Sequence, residues 1–254
     1  MPITVIIPTY KSPDALDLCL RSAIMGQENK NQIIVVVDGF YDINKDVLNK
    51  WEDDISILNL NENVGIARAT NLGVYNASYD KILIVNDDNV FPENYNKHLS
   101  ELDLNNKVYA PNQIEPIPSI FPQFRIKDLG RDPKTFDLND FWIYEHVISE
   151  NRIDDTGSTL PIFMNKLDYL RVGGWTEYPN SWVSDWDFFL KCKLCGMKML
   201  RTHSTNFYHF VSLSTSTPEE LLKKQQLEVE DHEYGKYIWG DYIKTNPKDN
   251  SKYL

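Results

Sequence analysis

The first ninety or so residues alternate four times between a short apolar run and a segment with helical spacing. The apolar runs are rich in Val and Ile and cover residues 3–7, 33–37, 55–60 and 81–85. Runs of this length are typical of strands that are buried on both faces of a sheet. Strands that alternate with helices form parallel sheets with right-handed crossovers. The sequence therefore predicts an α/β domain built on a mostly parallel sheet.

The remainder of the chain is less regular. Prolines recur between residues 111 and 137 without steady periodicity, which predicts an irregular loop after a short strand at 108–110. Ser184 is a candidate N-cap for a helix that stops at Gly196. Further helices are predicted at 140–149 and from 217 to 239, and a strand is predicted at 160–164. The last helix is mostly polar, so we expect it to be peripheral to the donor site and to pack on the domain or on a second subunit.

Charge and cysteine usage exclude several classes of protein. The formal net charge is -11 and the pI is about 4.9, which argues against nucleic-acid binding and against a polybasic membrane patch. Three cysteines fit a reducing compartment. The N-terminus has no basic region and no apolar run reaches about 18 residues, so we expect a cytoplasmic protein without a signal peptide or membrane span.

Polar residues stand where the predicted strands end. Asp87 and Asp88, flanked by Asn86 and Asn89, directly follow the fourth apolar run. Adjacent carboxylates at the mouth of a buried strand repel each other and lose hydration. Mg²⁺ or Mn²⁺ with a diphosphate would remove both costs, because hard oxygen ligands suit these ions. An acidic turn that merely caps the strand is the alternative.

Three more polar side chains are expected at the same edge. Thr9 and Asp38 end the first two strands, and Arg68 falls in the first turn of a helix, where a cation opposes the helix dipole. A bound anion would explain Arg68 better. Because ligands of open α/β sheets bind outside the carboxyl ends of strands, this edge is the predicted ligand site. For Asp38 a plain turn acid is the alternative.

The second half holds further candidates. Asp185 and Asp187 open the helix that follows Ser184 and stand among aromatic residues, which can stack a sugar and raise a carboxylate pKa. Ordinary helix-dipole partners are the alternative. His209 is a candidate metal ligand, and a histidine that only packs in the apolar core is the alternative. Cys192 and Cys195 form one C-x-x-C pair, which favours core packing over zinc.

These motifs, in this order, resemble the family 2 glycosyltransferases. The likeness runs from VIIPTYKSPDALDLCLRSA through VVVDGFYD, NENVGIARATNLGVYNA and ILIVNDDNVFPE to SWVSDWDFFLKCKLCG, and covers residues 3 to 213. It implies a GT-A fold. It also implies a single domain over 1–213, with a donor half (1–110) and an acceptor half (111–213). A C-terminal helix and polar tail follow at 214–254.

The resemblance also implies roles for individual residues. Asp185 would be the catalytic base, and Asp88 and His209 would hold Mn²⁺ or Mg²⁺. The nucleotide sugar would be bound by Pro8, Thr9, Tyr10, Asp38, Asn63, Arg68, Asn86, Asp87 and Trp182. Two positions depart from the family pattern, because Asn86 and Ser184 replace acids.

The activity so implied is metal-dependent, inverting transfer of a sugar from a nucleotide-diphosphate sugar to a hydroxyl of a glycan or other acceptor. The sequence gives no indication for or against a peripheral membrane contact or a homo-oligomer. A non-catalytic sugar-nucleotide or carbohydrate-binding protein is the alternative. A nucleotidyltransferase or a dinucleotide oxidoreductase fits less well, because Pro8 to Pro13 hold no glycine after the first strand.

Overall fold

A computed structural model describes residues 2–119, 122–180, 183–211 and 218–240 of the chain, with side chains of the last segment described from Gln226 onward. The strands are β1 (Thr4–Thr9), β2 (Gln32–Asp38), β3 (Ser56–Leu60), β4 (Lys81–Ile84), β5 (Asn89–Val90), β6 (Lys107–Glu115), β7 (Arg125–Ile126), β8 (Ile153–Asp154), β9 (Ile162–Asn165) and β10 (Lys198–His209). The helices are α1 (Pro13–Met25), α2 (Tyr41–Lys50), α3 (Ile66–Tyr75), α4 (Tyr95–Ser100), α5 (Leu138–Ile148), α6 (Lys166–Arg171), α7 (Ser184–Leu194) and α8 (Pro218–Trp239).

The strands form one mixed sheet in the order β3-β2-β1-β4-β9-β6-β10-β5, with β7 beside β6 and β8 beside β10. The first four strands are parallel, so the predicted parallel α/β core is confirmed. β9 runs antiparallel between β4 and β6, and β6 is parallel to β10. The carboxyl ends of β1, β2, β4, β6 and β10 therefore meet along one edge, which we call the ligand edge.

Helices cover both faces of the sheet because the central strands are apolar on both sides. All six residues of β1 are buried, and Val5 and Ile7 face α1, α2 and α4 while Ile6 faces α3. The helices α6 and α7 pack on the same face as α3. Alternation of side chains along a strand produces this arrangement.

Gly73 sets how closely α3 approaches the sheet. A Cβ at this position would lie 2.4 Å from Ile6 Cγ2 and 3.1 Å from Val36 Cγ2. We expect Gly73→Ala to lower the free energy of unfolding by about 1–3 kcal/mol, since overpacking outweighs the gain of about 1 kcal/mol in helix propensity. Urea unfolding measures it. Equal or greater stability in the variant would show that α3 can move away from β1.

The second half departs from the predictions in three places. β6 continues through Pro111 to Glu115, where the irregular loop was predicted to begin. The sequence predicts two short strands, at 197–200 and 206–210, whereas β10 is one strand with a bulge between Thr202 and Asn206. Pairing with β6 on both sides of the bulge holds it together. Ser184 is the first residue of α7 and not its cap, and its hydroxyl is buried without a hydrogen-bond partner.

The division of the chain at residues 110 and 213 stays a prediction. The predicted polar tail beyond residue 240 lies outside the described residues.

Candidate active site

The acidic pair follows β4 at the ligand edge, as predicted. Thr9, the last residue of β1, donates a hydrogen bond from Oγ1 to Asp87 Oδ2 at 2.7 Å. Burial and the neighbouring Asp88 carboxylate raise the pKa of Asp87 to about 7, against the opposing effect of the Thr9 bond. Two adjacent carboxylates repel each other, and a bound cation would reduce this repulsion.

Asp88 faces a histidine across the sheet edge. His209, the last residue of β10, places Nε2 3.5 Å from Asp88 Oδ2 and Nδ1 3.0 Å from Glu115 Oε1. Burial lowers the pKa of His209, but the bonds to the two carboxylates outweigh burial and raise it to about 9. His209 is therefore held between two carboxylates at the ligand edge and is not the apolar core histidine of the alternative reading. A metal would bind it as the neutral imidazole, in place of the Nε2 proton.

The pair of Asp88 and His209 fits a divalent cation. Asp88 Oδ1 is buried without a hydrogen-bond partner, so this oxygen is free to accept a ligand. Mg²⁺ and Mn²⁺ need few protein ligands when diphosphate oxygens and water complete the octahedron. The described residues hold no cluster of three or more His, Cys, Asp or Glu in a metal-binding arrangement. These two residues therefore fit a metal shared with a ligand and do not form a closed protein cage.

Glu115 was not predicted, because its segment was interpreted as loop. It ends β6 at the ligand edge and is buried. A carboxylate on one ring nitrogen of a metal-binding histidine fixes the tautomer and orients the other nitrogen. The sequence signal that could have found it is an acid at the end of the run Lys107–Glu115, in which Pro111 hides the strand.

Asp38 builds the turn that precedes α3. Its carboxylate accepts hydrogen bonds from the backbone N–H of Val64 at 2.6 Å and of Gly65 at 3.0 Å. Burial raises the pKa of Asp38, although these two bonds oppose the shift. Asn63 Oδ1 also accepts from Gly65 N–H, at 3.0 Å. Asp38 therefore stabilises this turn, and a contact of Asp38 with a nucleotide base stays a prediction.

The mouth of the edge beside Asp38 is aromatic. Tyr10 and Phe40 meet edge to face with ring centroids 5.1 Å apart, and Lys11 Nζ lies 3.8 Å from the Phe40 centroid. Phe40 has a φ of 54°, a strained value for a non-glycine residue, and was not predicted as a site residue. Both rings are partly exposed, whereas Pro8 is buried inside β1 and Arg68 is exposed at the start of α3.

The two acids of α7 have different surroundings. Asp185 is half-buried, and its Oδ1 accepts a hydrogen bond from Trp186 N–H at 2.9 Å. Burial raises the pKa of Asp185 to about 6. Asp187 is wholly buried and accepts from Tyr178 OH at 3.2 Å, from Trp239 Nε1 at 2.6 Å and from the Thr176 hydroxyl, and it pairs with Lys191 at 3.0 Å.

The chain path brings Asp185 towards the ligand edge. α7 has 11 residues and ends at Leu194, just before β10 begins at Lys198. β10 runs towards the ligand edge, and α7 packs on the sheet in the opposite direction, so the first turn of α7 lies near that edge. Among the described residues, Asp185 makes no hydrogen bond to the Asp88–His209 pair. Trp182, predicted to bind the sugar, lies outside the described residues.

A zinc site at the C-x-x-C pair finds no support. Cys192 is buried and Cys195 is exposed. His203 pairs with Asp154 at 2.8 Å.

The family model described as Glycosyl transferase family 2 matches residues 4–151. Poly-beta-1,6-N-acetyl-D-glucosamine synthase of Staphylococcus aureus (strain MSSA476) is 29% identical over 90 residues, which is 35% of this chain and 22% of that protein. Glycosyltransferase GlyA of Streptococcus pneumoniae is 33% identical over 95 residues, 37% of this chain and 14% of that protein. An uncharacterized glycosyltransferase of Haemophilus influenzae is 24% identical over 74% of this chain and 61% of that protein. The chain thus spans 14% to 61% of the lengths of these relatives.

Among solved structures, S. aureus TarS 1-349 superposes with a TM-score of 0.59 and 16% identity, covering 91% of this chain and 65% of that one. The structure of TarS 1-349 in complex with UDP-GlcNAc superposes with a TM-score of 0.54 and 14% identity, over 91% of this chain and 66% of that one. This likeness confirms the predicted GT-A fold. No helix within the described ranges is both long and apolar enough to cross a bilayer. Since the family model matches more than half of the residues, the chain belongs to the family 2 glycosyltransferases.

Proposed function

We propose that this chain transfers a sugar from a nucleoside diphosphate sugar to an acceptor hydroxyl, with inversion at the anomeric carbon. The observation that carries the proposal is the constellation at the ligand edge. There Asp87 is bonded by Thr9 and Asp88 pairs with His209, while a separate carboxylate, Asp185, stands in the first turn of α7, which the chain path brings towards this edge. A single-displacement transfer needs a site that stabilises the departing diphosphate and a separate carboxylate that acts as the base.

UDP-GlcNAc is the first donor to test. The structures of TarS in complex with UDP and with UDP-GlcNAc share this fold, and a curated relative is named as a poly-N-acetylglucosamine synthase. In this chain Tyr10 and Asp38 would frame the base, because they stand together beside the turn at Asn63. Arg68, exposed in the first turn of α3, would meet the diphosphate.

Asp88 and His209 would hold a Mg²⁺ or Mn²⁺ ion, and Glu115 would orient His209. Such an ion neutralises charge on a departing diphosphate. Asn86 and Asp87 would lie towards the sugar nucleotide, with Asp87 fixed by Thr9.

Asp185 is the proposed base. Its carboxylate takes the proton of the acceptor hydroxyl while that oxygen forms a bond to the anomeric carbon and the bond to the diphosphate breaks. Asp187 is unsuited to this role, since hydrogen-bond donors and the Lys191 ammonium surround its carboxylate. A base needs an oxygen free to approach the acceptor. Among the described residues, the Asp185 carboxylate is bonded by backbone N–H groups of its own turn and by no side-chain donor.

The pH dependence follows from the raised pKa of Asp185, which is about 6. The base works when ionised, so we expect kcat to rise with pH through about pH 6 and to level off above about pH 7. An Asp with its usual pKa would give a plateau from about pH 5. Release of UDP from UDP-GlcNAc in Mn²⁺, followed from pH 5 to pH 8, measures this. A flat profile across that range would contradict the assignment of Asp185.

The proposal as a whole is tested by incubating the protein with UDP-GlcNAc and Mn²⁺ and following both sugar-nucleotide binding and UDP release. Binding and release together support a transferase. Binding without release, in the presence of a panel of glycan acceptors, would favour a non-catalytic sugar-nucleotide-binding protein.

A further inference from the structure

The C-terminal helix α8 packs on the segment that leads into α7. Asn180 is bonded from both its backbone and its side chain: its N–H donates to Asp231 Oδ1 at 2.9 Å, and its Nδ2 lies 3.1 Å from Glu230 Oε2. Tyr234 meets Tyr178 edge to face, with centroids 5.5 Å apart. Asp231 is fully buried in this contact. The helix was predicted to be peripheral to the donor site and to pack on the domain or on a second subunit, and this face of it packs on the domain.

The last residue of α8 reaches the first turn of α7. The indole N–H of Trp239 donates to Asp187 Oδ1 at 2.6 Å, beside the bonds from Thr176 and Tyr178 and the ion pair with Lys191. Lys191 balances the charge of Asp187 from within α7 and also donates to Gly174 O at 2.6 Å and to Thr176 Oγ1 at 2.9 Å. Of the described residues that bond to the Asp187 carboxylate, Trp239 comes from outside the region 174–191.

A buried carboxylate of this kind is held strictly by its donors. Without the Trp239 N–H, Asp187 Oδ1 would keep only the longer bond from Tyr178 OH, at 3.2 Å, and the buried charge would lose a charge-assisted hydrogen bond. The backbone N–H of Asp187 is bonded to Val183 O at 3.0 Å at the start of α7, so the side-chain bond from Trp239 also restrains this turn. Asp185 stands in this turn, two residues away, so a shift of Asp187 moves Asp185 as well.

We propose that Trp239 is a positioning residue. Its hydrogen bond to the buried Asp187 fixes the first turn of α7 and thereby the orientation of the Asp185 side chain. This inference rests on the proposed function for its catalytic consequence. α8 then restrains α7 at two points. The middle of α8 bonds to Asn180, before α7, and the end of α8 bonds to Asp187, inside α7. Trp239 touches no reacting atom in this account.

Trp239→Phe removes the N–H and keeps an aromatic ring. We expect kcat for UDP release from UDP-GlcNAc to fall about tenfold, since small misplacements of a catalytic group are costly, with KM for the donor changed by less than twofold. Deuterium exchange at residues 184–187 should become faster. Tyr237→Phe is the matched control, because Tyr237 lies on the same helix with 86% of its surface exposed and should match the parent protein in every measurement.

Asp187→Asn tests whether Trp239 acts through Asp187. In a double-mutant cycle, the two substitutions should not add: Trp239→Phe should lower kcat little further once Asp187 is Asn. A full tenfold loss in that background would overturn the route through Asp187. If Asp187→Asn does not fold, Trp239→Phe alone still decides the matter, by the criteria that follow.

Unchanged exchange at residues 184–187 in Trp239→Phe overturns the inference, whatever the turnover. Faster exchange with unchanged kcat overturns the positioning role. If the parent protein releases no UDP from UDP-GlcNAc, UDP-glucose or UDP-galactose in Mn²⁺, the proposed function fails, and the catalytic part of the inference fails with it. The exchange measurement then decides separately whether Trp239 holds the turn.

Discussion

Replacing Asp185 by Asn is expected to lower sugar transfer by about 10² to 10⁴-fold, the usual range for loss of a general base. Donor affinity should stay within a few-fold, because the base acts in the transition state and Asn is nearly isosteric. The variant should fold. Burial raises the folded-state pKa of Asp185 to about 6, so its ionised form opposes folding above that pH, and a neutral side chain removes this cost.

The comparison variant is Asp187→Asn, measured for transfer, donor affinity and thermal stability. Asp187 pairs with Lys191 in the interior, so its neutralisation should destabilise the fold, by about 3–5 kcal/mol if the whole pair is disrupted. Near-parent transfer by Asp185→Asn together with an inactive but folded Asp187→Asn would reverse the assignment. Transfer by both would place the base elsewhere.

The second large effect is expected at Asp88. Asp88→Ala should abolish the Mn²⁺-dependent part of nucleoside diphosphate binding, because it removes the free buried oxygen and the partner of His209. Calorimetry with UDP, with and without Mn²⁺, measures the effect. The fold should persist, since Asp88 lies beyond the end of β4 and outside the apolar core.

Asp80→Ala is the matched control for Asp88. Asp80 is exposed and precedes β4, at the end of the strand opposite the ligand edge. Its variant should bind UDP with the same dependence on Mn²⁺ as the parent protein. Metal-dependent affinity that survives in Asp88→Ala would show that the diphosphate is held by other groups.

The parallel half of the sheet could be predicted because each strand there is a continuous apolar run. Ile33 to Val37 are buried on both faces, and such strands carry their own signal. Only the beginning of β6, at 108–110, could be predicted, because the strand continues through Pro111, Asn112 and Gln113, which propensity assigns to loops. These residues are strand because β10 pairs along their whole length, a tertiary effect that sequence spacing does not record.

The candidate site shows the same division. Thr9, Asp38 and the Asp87–Asp88 pair end strands with clear patterns, and so their shared edge followed from topology. Glu115 is hidden in β6, and the contact between Trp239 and Asp187 joins residues far apart in the sequence, 52 positions from each other. No local pattern indicates such a bond. The separate roles of Asp185 and Asp187 likewise depend on donors that approach from other segments.

The most direct test of the account is calorimetric titration of the unmodified protein with UDP-GlcNAc and UDP, in Mn²⁺ and after chelation. We expect saturable binding of both ligands in Mn²⁺. The affinity should weaken at least about tenfold on chelation, which is a difference of roughly 1.4 kcal/mol in binding free energy. Absence of binding by UDP, GDP, ADP and their sugar conjugates in Mn²⁺ would contradict the claim that this edge of the sheet is a nucleotide-sugar site.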